Sequence, residues 1–518
     1  MRKELLSLTK DTAIYGVSTV IGRFLNFLLV PFYVNVLAST AEYGISTSLY
    51  AYIAFLNVIY PLGLEGAYFR YASRGEHEQG DDAQDKRFFS APFNVILVFG
   101  FLLSLVFVLL LPHLVDPVFF DPKTDIEPMR PMLEMILLYG VGILFFDSLA
   151  IIPFARLRLE RRARHFATLK LINIIVTLAL NFIFILWMGI GVEGIFLANL
   201  IASILTFVLL IPSFAKYLQP SFDRAVLKKM LPFGLTNVPA HVGAIMVQVI
   251  NRPTIQAFLG LGMLGVFQAN YRMGFTMMIF VSLFEYAWRP FFMRQHKTDD
   301  ARARQIFAKV FTYFMLVSLV AFLLLSFFLP YILTTPIFGR SLLRADYFEG
   351  IPIIPFILLA YVFQGAYTNF IAGIYIREKN RSLPLITGLG AFVNILGNIV
   401  LIPKFGMMGA AYATLASYIA MAISIYRVSN NAYPVAYEWG RVFILFVLVL
   451  SAFIIERILT ESIVTGEPSM ALLRVGLFVL TITSLFLFGF FSGRELALIK
   501  EVGRKFSLQK QKKPDGLA

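Results

Sequence analysis

The segment Ala244-Ile-Met-Val-Gln248-Val-Ile-Asn-Arg252-Pro-Thr-Ile-Gln256-Ala-Phe-Leu-Gly260-Leu-Gly-Met-Leu264-Gly-Val-Phe-Gln268-Ala-Asn-Tyr-Arg272 sets the fold class. On either side of its glycines run apolar stretches long enough to span about 30 Å of hydrocarbon. Each carries an arginine. At the bilayer centre an arginine lies roughly 2.5–3.5 kcal/mol uphill, and it persists where it faces a water-filled cavity or an opposite charge. Arg23, inside the first apolar run, repeats the pattern. The chain is therefore expected to live in lipid and to enclose a polar space that favours anions.

Composition supports this reading. Hydrophobic residues make up 58% of the 518 and charged residues 15%, so no sizeable soluble domain remains once the apolar runs are removed. Helices are expected near 12–38, 43–70, 88–113, 130–156, 166–187, 192–215, 231–259, 264–292, 305–334, 350–376, 383–402, 408–429, 441–460 and 471–492. The short charged stretch Met1–Lys10 precedes an apolar run without a small-residue cleavage site, which reads as a retained first helix. Cysteine is absent, which excludes disulfides, Cys-ligated metals and thiol catalysis. The net charge of +14 follows from topology: with the N-terminus inside, most Lys and Arg fall in inner loops, including Arg156–Arg164, Lys216–Lys229, Arg294–Arg304, Arg377–Arg381 and Arg494–Lys513. These runs suit orientation and anionic headgroups. They are too short and scattered for nucleic acid.

The chain repeats itself with a shift of roughly 218 residues. Phe154-Ala-Arg-Leu-Arg-Leu-Glu160-Arg161 answers Ala372-Gly-Ile-Tyr-Ile-Arg377-Glu378-Lys379, and Tyr68-Phe-Arg70 answers Trp288-Arg289. Asn181, Gly189 and Gly194 answer Asn398, Gly406 and Gly409. An even number of helices per repeat makes the two copies parallel. The expected architecture is an all-α integral membrane protein of about 14 helices. Residues 1–215 and 231–429 form two parallel six-helix lobes, joined by a cytoplasmic linker at 216–230. Two extra helices at 441–492 and a basic tail at 493–518 follow. The natural binding space lies between the lobes.

Polar residues recur on single helix faces there. Helix 1 carries Thr12, Tyr15, Thr19, Arg23 and Asn26, and helix 7 carries Asn237, His241, Gln248, Arg252 and Gln256. Helix 8 adds Gln268, Arg272 and Thr276, and helix 2 adds Ser46, Tyr50 and Asn57. At the repeat offset His241 takes the place of Arg23. Interhelical hydrogen bonding accounts for buried amides and hydroxyls at about 0.6–2 kcal/mol each. It does not account for arginines among so few carboxylates. Arg23, Arg252, Arg272 and His241 are the candidate anion site, with Thr19, Asn26, Tyr50, Asn57, Asn237, Gln248 and Gln268 as the polar lining.

Pro253 removes a backbone hydrogen bond and crowds the carbonyl near Val249, so a kink is expected there; Pro31 is its counterpart in the first lobe. The kink is either a hinge or static. Asp147 is the one carboxylate well inside a helix core, suited to a coupling ion or to pairing with Arg23. Glu65 with Arg70 and Glu285 with Arg289 close the inner ends of helices 2 and 8. Crossed pairs, Glu65 to Arg289 and Glu285 to Arg70, would make an inner gate. Asn173, Thr177 and Asn181, and Thr387, Asn394 and Asn398, read as packing contacts. Gly189-x-Gly191-x-x-Gly194 and Gly260-x-Gly262-x-x-Gly265 match the dinucleotide fingerprint but follow no strand, and read as tight turns. Walker, HExxH and nucleophile-elbow motifs are absent. His77 among Glu76, Glu78, Asp81 and Asp82 reads as a solvated loop, so no metal site is assigned.

Three blocks resemble the bacterial polysaccharide-biosynthesis flippases of the multidrug/oligosaccharidyl-lipid/polysaccharide superfamily. They are Asp11-Thr-Ala-Ile-Tyr-Gly-Val-Ser-Thr-Val-Ile-Gly-Arg23-Phe-Leu-Asn26 with Pro31 and Glu42-Tyr-Gly44; Asn251-Arg-Pro253 through Tyr271-Arg272; and Leu401-Ile-Pro-Lys-Phe-Gly406 with Gly409-Ala-Ala-Tyr-Ala-Thr414. The resemblance implies two lobes forming a V that rocks between inward- and outward-open states. It implies an undecaprenyl-pyrophosphate-linked glycan, such as an O-antigen unit for lipopolysaccharide, turned from the cytoplasmic to the periplasmic leaflet of a bacterial inner membrane. Arg23 and Arg272 stand where related lipid II flippases place cavity cations. Around Tyr50 no arginine appears, and Asn251 stands where many relatives carry an aspartate. The last two helices would hold the polyprenyl tail. No cofactor is implied beyond H+, Na+ or the membrane potential. A monomer with both termini cytoplasmic, contacting membrane lipids and the glycan polymerase or export machinery, completes the expectation. The alternatives are a cation-coupled multidrug antiporter, which wants carboxylates in helices 1 or 7, and a non-transporting scaffold, which needs no cationic cavity.

Overall fold

The computed structural model describes residues 29–72, 82–298, 300–337, 339–462 and 467–493, with Phe27, Glu495 and Ala497. Among these residues the chain is almost wholly helical. Helix α1 (29–36) is followed by α2 (Thr40–Ile59), α3 (Leu64–Ala72), α4 (Asp82–Leu109), α5 (Leu111–Phe119), α6 (Arg130–Leu159), α7 (Ala163–Asn181) and α8 (Val192–Phe214). Next come α9 (Arg224–Val249), α10 (Asn251–Leu259), α11 (Leu261–Met273), α12 (Phe275–Thr298) and α13 (Asp300–Thr334). A two-residue hairpin, β1 (Pro336–Ile337) with β2 (Arg340–Ser341), leads to α14 (Ile354–Ile376), α15 (Leu383–Phe405), α16 (Met407–Ala432), α17 (Trp439–Ser462) and α18 (Glu467–Leu487). Among the described residues, twelve candidate membrane spans are long and apolar enough to cross a bilayer. Of the two further helices expected, the first lies mostly outside the described residues, and the eighth is divided at Gly274 into α11 and α12. Large apolar side chains such as Leu102, Phe392, Phe443 and Leu472 are exposed, as a lipid-facing surface requires. The chain is a multi-pass membrane protein.

Local chemistry starts and stops these helices. Ser39 caps α2 by accepting a hydrogen bond from the Glu42 N–H, and the Glu42 carboxylate reaches back to the Ala38 N–H, one residue before the cap. Asp223 caps α9 by accepting from the Ala225 and Val226 N–H groups and pairs with Arg87 at 2.5 Å. The connection 215–223 is pinned to α4, where Ser90 donates to the Tyr217 carbonyl and the Asn94 amide donates to the Gln219 and Ser221 carbonyls. Arg156 stacks over the Tyr217 ring at 3.4 Å and bonds Asp85 and Glu160. The basic run that begins at Arg156 is thus partly structural.

The chain divides into two compact units, 1–290 with 333–432 and 291–332 with 433–518. This grouping cuts across the division into lobes and a C-terminal pair, because most of α13 belongs with α17 and α18. In the smaller unit the Arg441 guanidinium binds Glu438 and Glu495 at 2.9 Å each, Tyr313 donates to Glu495, and Thr312 donates to Glu438. Burial works to raise the Glu495 pKa, but the bonds from Tyr313, Ser492 and Arg441 outweigh it and hold the carboxyl at about 2. Its depressed value means that the clasp's contribution is complete above the ordinary glutamate range and is lost only as pH falls toward 2. Between α17 and α18, Arg474 pairs with the buried Glu456 at 2.7 Å. Arg474→Leu strands that carboxylate and is expected to lower stability by about 3–5 kcal/mol. Thermal unfolding in nanodiscs checks this, and adding Glu456→Gln should recover most of the loss.

In the larger unit α2 meets the second half of the sequence by backbone contact at both ends. A Cβ on Gly44 would fall 1.9 Å from the Leu261 carbonyl oxygen, and one on Gly265 would fall 2.0 Å from the Thr40 oxygen. Past the other end of α2, a Cβ on Gly63 would meet the Gly234 oxygen at 2.3 Å. The two fingerprint-like glycine patterns thus have different jobs. Gly189 and Gly191 turn the chain with positive φ, whereas Gly265 lets α11 touch α2.

Candidate functional site: an arginine cavity and its polar neighbour

Helix breaks place the two described arginines. Pro253 lacks the N–H that would reach Val249, and the helix is interrupted at Ile250, between α9 and α10. The Thr254 hydroxyl takes up the Ile250 carbonyl at 2.7 Å. Arg252 thus stands in the first turn of α10. Arg272 stands in the last turn of α11, one residue short of the end, where the helix dipole favours a cation. Gly274 follows because a Cβ there would lie 2.5 Å from Ile357. Pro253→Ala is expected to restore the missing bond and join α9 to α10. Amide exchange at 249–254 should then slow, whereas unchanged exchange would show that packing, not proline, holds the break.

Arg252 and Arg272 line one cavity of about 240 Å³ with Gln248, Gln268, Tyr271 and Tyr361. The guanidiniums lie within each other's electrostatic field, and neither makes an ion pair or hydrogen bond among the described residues. Phenols surround them: the Tyr361 hydroxyl donates to the Tyr271 hydroxyl at 3.4 Å, and Tyr43 lies within the field of both arginines. The Gln268 side chain is buried, and its carbonyl oxygen has no partner among the described residues. Two cations without an ion pair among the described residues, with amides and phenols around them inside a membrane segment, have the chemistry to accept a multiply charged anion.

A second cavity, of about 420 Å³, lies among α2, α6, α7 and α8. Asp147 faces it beside Ser203 and in the field of Lys170. At its rim Glu65 pairs with Arg158. Tyr50 feels charges from both cavities without lining either. Its hydroxyl accepts from the Asn199 amide at 3.1 Å, its ring stacks on Phe196 at 5.0 Å, and it lies within reach of both Arg272 and Asp147.

The expected site residues thus separate. Arg252, Arg272, Gln248 and Gln268 come together, Asn57 joins the second cavity, and Tyr50 lines neither but lies in the field of Arg272 and Asp147. His241 and Asn237 line neither cavity. His241 is exposed, roughly 16 Å along the axis from Arg252, and Asn237 donates to the Phe233 carbonyl. Arg23, Thr19 and Asn26 lie outside the described residues. Pro31 sits in α1, where its carbonyl accepts from Asn35.

The crossed gate pairs are not made in this structure. Arg158, at the end of α6, reaches Glu65 first; Glu285 takes Arg289 one turn away at 2.6 Å; and Arg70 lies over the Phe233 ring at 4.5 Å. The Asn394 and Asn398 amides form a buried network with Asn251 and Thr414, in which Asn398 donates to Asn251 and Asn251 donates to Thr414, each at 2.7 Å. Sequence reasoning passed over Lys170 because it stands eight residues inside α7, near enough to the end to read as part of a flanking basic run. It passed over Tyr271 and Tyr361 because aromatics are so frequent in lipid-facing helices.

Known proteins share this architecture. A lipid II flippase, MurJ, in an inward closed conformation superposes with TM-score 0.71 at 16% identity, covering 92% of this chain and 98% of that one. An inward-facing multidrug resistance MATE family transporter of the MOP superfamily gives 0.63 at 13%, covering 81% and 97%. An uncharacterized membrane protein of Methanocaldococcus jannaschii is 21% identical over 453 residues, 83% of this chain and 87% of its own. Residues 36–345 match the family model described as polysaccharide biosynthesis protein. That match spans more than half of the sequence, and the chain belongs to the polysaccharide biosynthesis protein family, on the fold of MOP-superfamily transporters.

Proposed function

We propose that the chain is a flippase that carries a polyprenyl-pyrophosphate-linked glycan across the bacterial inner membrane, from the cytoplasmic to the periplasmic leaflet, by alternating access of two six-helix lobes. The observation that carries this reading is the Arg252–Arg272 cavity, whose guanidiniums make no ion pair among the described residues. A pyrophosphate supplies the negative charge that the two guanidiniums lack, and planar guanidinium forks suit phosphate oxygens. The tail stays in hydrocarbon, so only the headgroup needs a polar path. Family membership and the flippase and transporter folds of its structural neighbours support a membrane carrier. A cationic drug would meet two like charges here, which counts against a multidrug antiporter.

The test is flipping of a fluorescent undecaprenyl-pyrophosphate oligosaccharide in proteoliposomes, with and without imposed ion gradients. The wild type should move the lipid, and Arg252→Ala with Arg272→Ala should reduce movement to near background. Full flipping by the double variant would remove the reading, and efflux of organic cations instead would favour the antiporter.

A further inference from the structure

The second cavity is not explained by an anion site. Its charged lining balances: Asp147 and Glu65 against Lys170 and Arg158. Glu65 and Arg158 are paired with each other, and the Asn173 amide is spent on the Ala202 carbonyl and the Thr206 hydroxyl. Three groups from three helices keep unused hydrogen-bonding capacity. Asn57 on α2 and Lys170 on α7 make no hydrogen bond or ion pair among the described residues, and Asp147 on α6 has only Ser203 beside it.

An ammonium and a carboxylate in a low-dielectric chamber attract strongly. Here they are held apart, and the Lys170 ammonium lies 4.3 Å over the Phe154 ring instead. A ligand between them must accept from Lys170 and donate to Asp147. A hydroxyl does both, and a ring of hydroxyls does so repeatedly. The same ring has an apolar face, and Phe154 and Phe166, with centroids 5.2 Å apart, offer aromatic surface to it. A metal ion is a poor occupant beside the Lys170 charge, and no metal-binding cluster occurs among the described residues. A free anion would meet Asp147. The volume of about 420 Å³ lies within the range of about 300–1,000 Å³ usual for small-molecule sites. Tyr50 bonds the lining residue Asn199 and lies in the electrostatic field of both Arg272 and Asp147, so the side of the chamber that Tyr50 marks is the one toward which a sugar on a pyrophosphate at Arg252 and Arg272 would extend.

We propose that the cavity bounded by Asn57, Asp147 and Lys170 is a monosaccharide subsite that reads a neutral sugar unit of the cargo. The proposal rests on the lipid-linked-glycan reading of function. Saturation-transfer NMR of the full chain in nanodiscs tests it, with methyl glucoside, methyl N-acetylglucosaminide and methyl glucuronate as probes. At least one neutral glycoside should receive saturation. The signal should fall roughly tenfold or more in Asp147→Asn and Lys170→Met and persist in Arg272→Gln. The double variant, which restores charge balance, serves if a single one misfolds. No signal from any neutral glycoside, or an undiminished signal in these variants, overturns the proposal.

A transport arm separates the two readings. The cavity variants should slow a glycan-bearing carrier and leave bare undecaprenyl pyrophosphate unaffected. Equal slowing of both, with a shifted pH profile, would make the Asp147–Lys170 pair an energy-coupling element and overturn the sugar assignment. If the wild type flips neither carrier, the flippase reading fails while the NMR arm still decides the cavity.

Discussion

Arg272→Gln is expected to weaken binding of a polyprenyl pyrophosphate by roughly ten- to hundredfold and, at the same time, to raise the thermal stability of the empty protein. The first effect follows from losing hydrogen bonds between charged partners, each worth about 1.5–3 kcal/mol where tenfold in affinity is about 1.4 kcal/mol. The second follows from the cavity itself, where Arg252 and Arg272 lie in each other's field without a counter-charge among the described residues. Removing one like charge relieves that repulsion. Arg272→Lys keeps the charge but loses the planar fork, so affinity should fall less than for glutamine. Titration of a fluorescent polyprenyl pyrophosphate against the full chain in nanodiscs, paired with thermal unfolding of the empty protein, checks both effects. An arginine that served structure alone would show the opposite pattern, with lower stability and unchanged affinity.

Gly265→Val is expected to cost at least about 1–3 kcal/mol and to abolish transport. Overpacking of a well-packed contact has that typical cost, and here the obstacle is backbone, which cannot rotate away. The new Cβ would need the space that the Thr40 carbonyl oxygen fills, 2.0 Å from its position. Gly44→Val drives the same two helices apart from the other side, against the Leu261 carbonyl. Gly243→Ala is the control. It lies in α9 with nothing within 4 Å, so alanine should be neutral or should add up to about 1 kcal/mol from helix propensity. Unfolding midpoints of the three variants decide the matter, and a Gly265→Val protein as stable as the wild type would show that α11 can move off α2 freely.

These cases show where the sequence was informative. Apolar length located the spans, proline chemistry located the break at Ile250, and the cost of a cation in lipid located Arg252 and Arg272. Each is a property of one segment. The partner of Glu65 is different in kind. Periodicity assigns a residue to a face, but the rotation and tilt of neighbouring helices choose between Arg158 and Arg289. The same holds for Lys170, whose role depends on Asp147 across a helix interface, and for α13, whose grouping with α17 and α18 no repeat offset encodes. His241 differs for a simpler reason: it stands exposed on α9, about two turns before Gln248, the residue of that helix that lines the cavity.

The backbone contacts at the two ends of α2 bear on the lipid around the protein. Gly44 and the end of α2 at Ile59 are 15 residues apart, roughly 22 Å at 1.5 Å per residue, and the turn that carries Gly63 follows, so the two contacts span much of the hydrocarbon thickness of about 30 Å. Smooth glycine surfaces let helices slide, but they fix how far apart the two touching points are. A strut of set length between two such points cannot shorten when the surrounding bilayer thins, so the mismatch falls on the lipid or on the contacts themselves. At fractions of a kcal/mol per ångström, bilayers of different acyl length should then change how readily either end of α2 disengages. Membrane thickness thereby becomes a variable that sets the pace of the carrier.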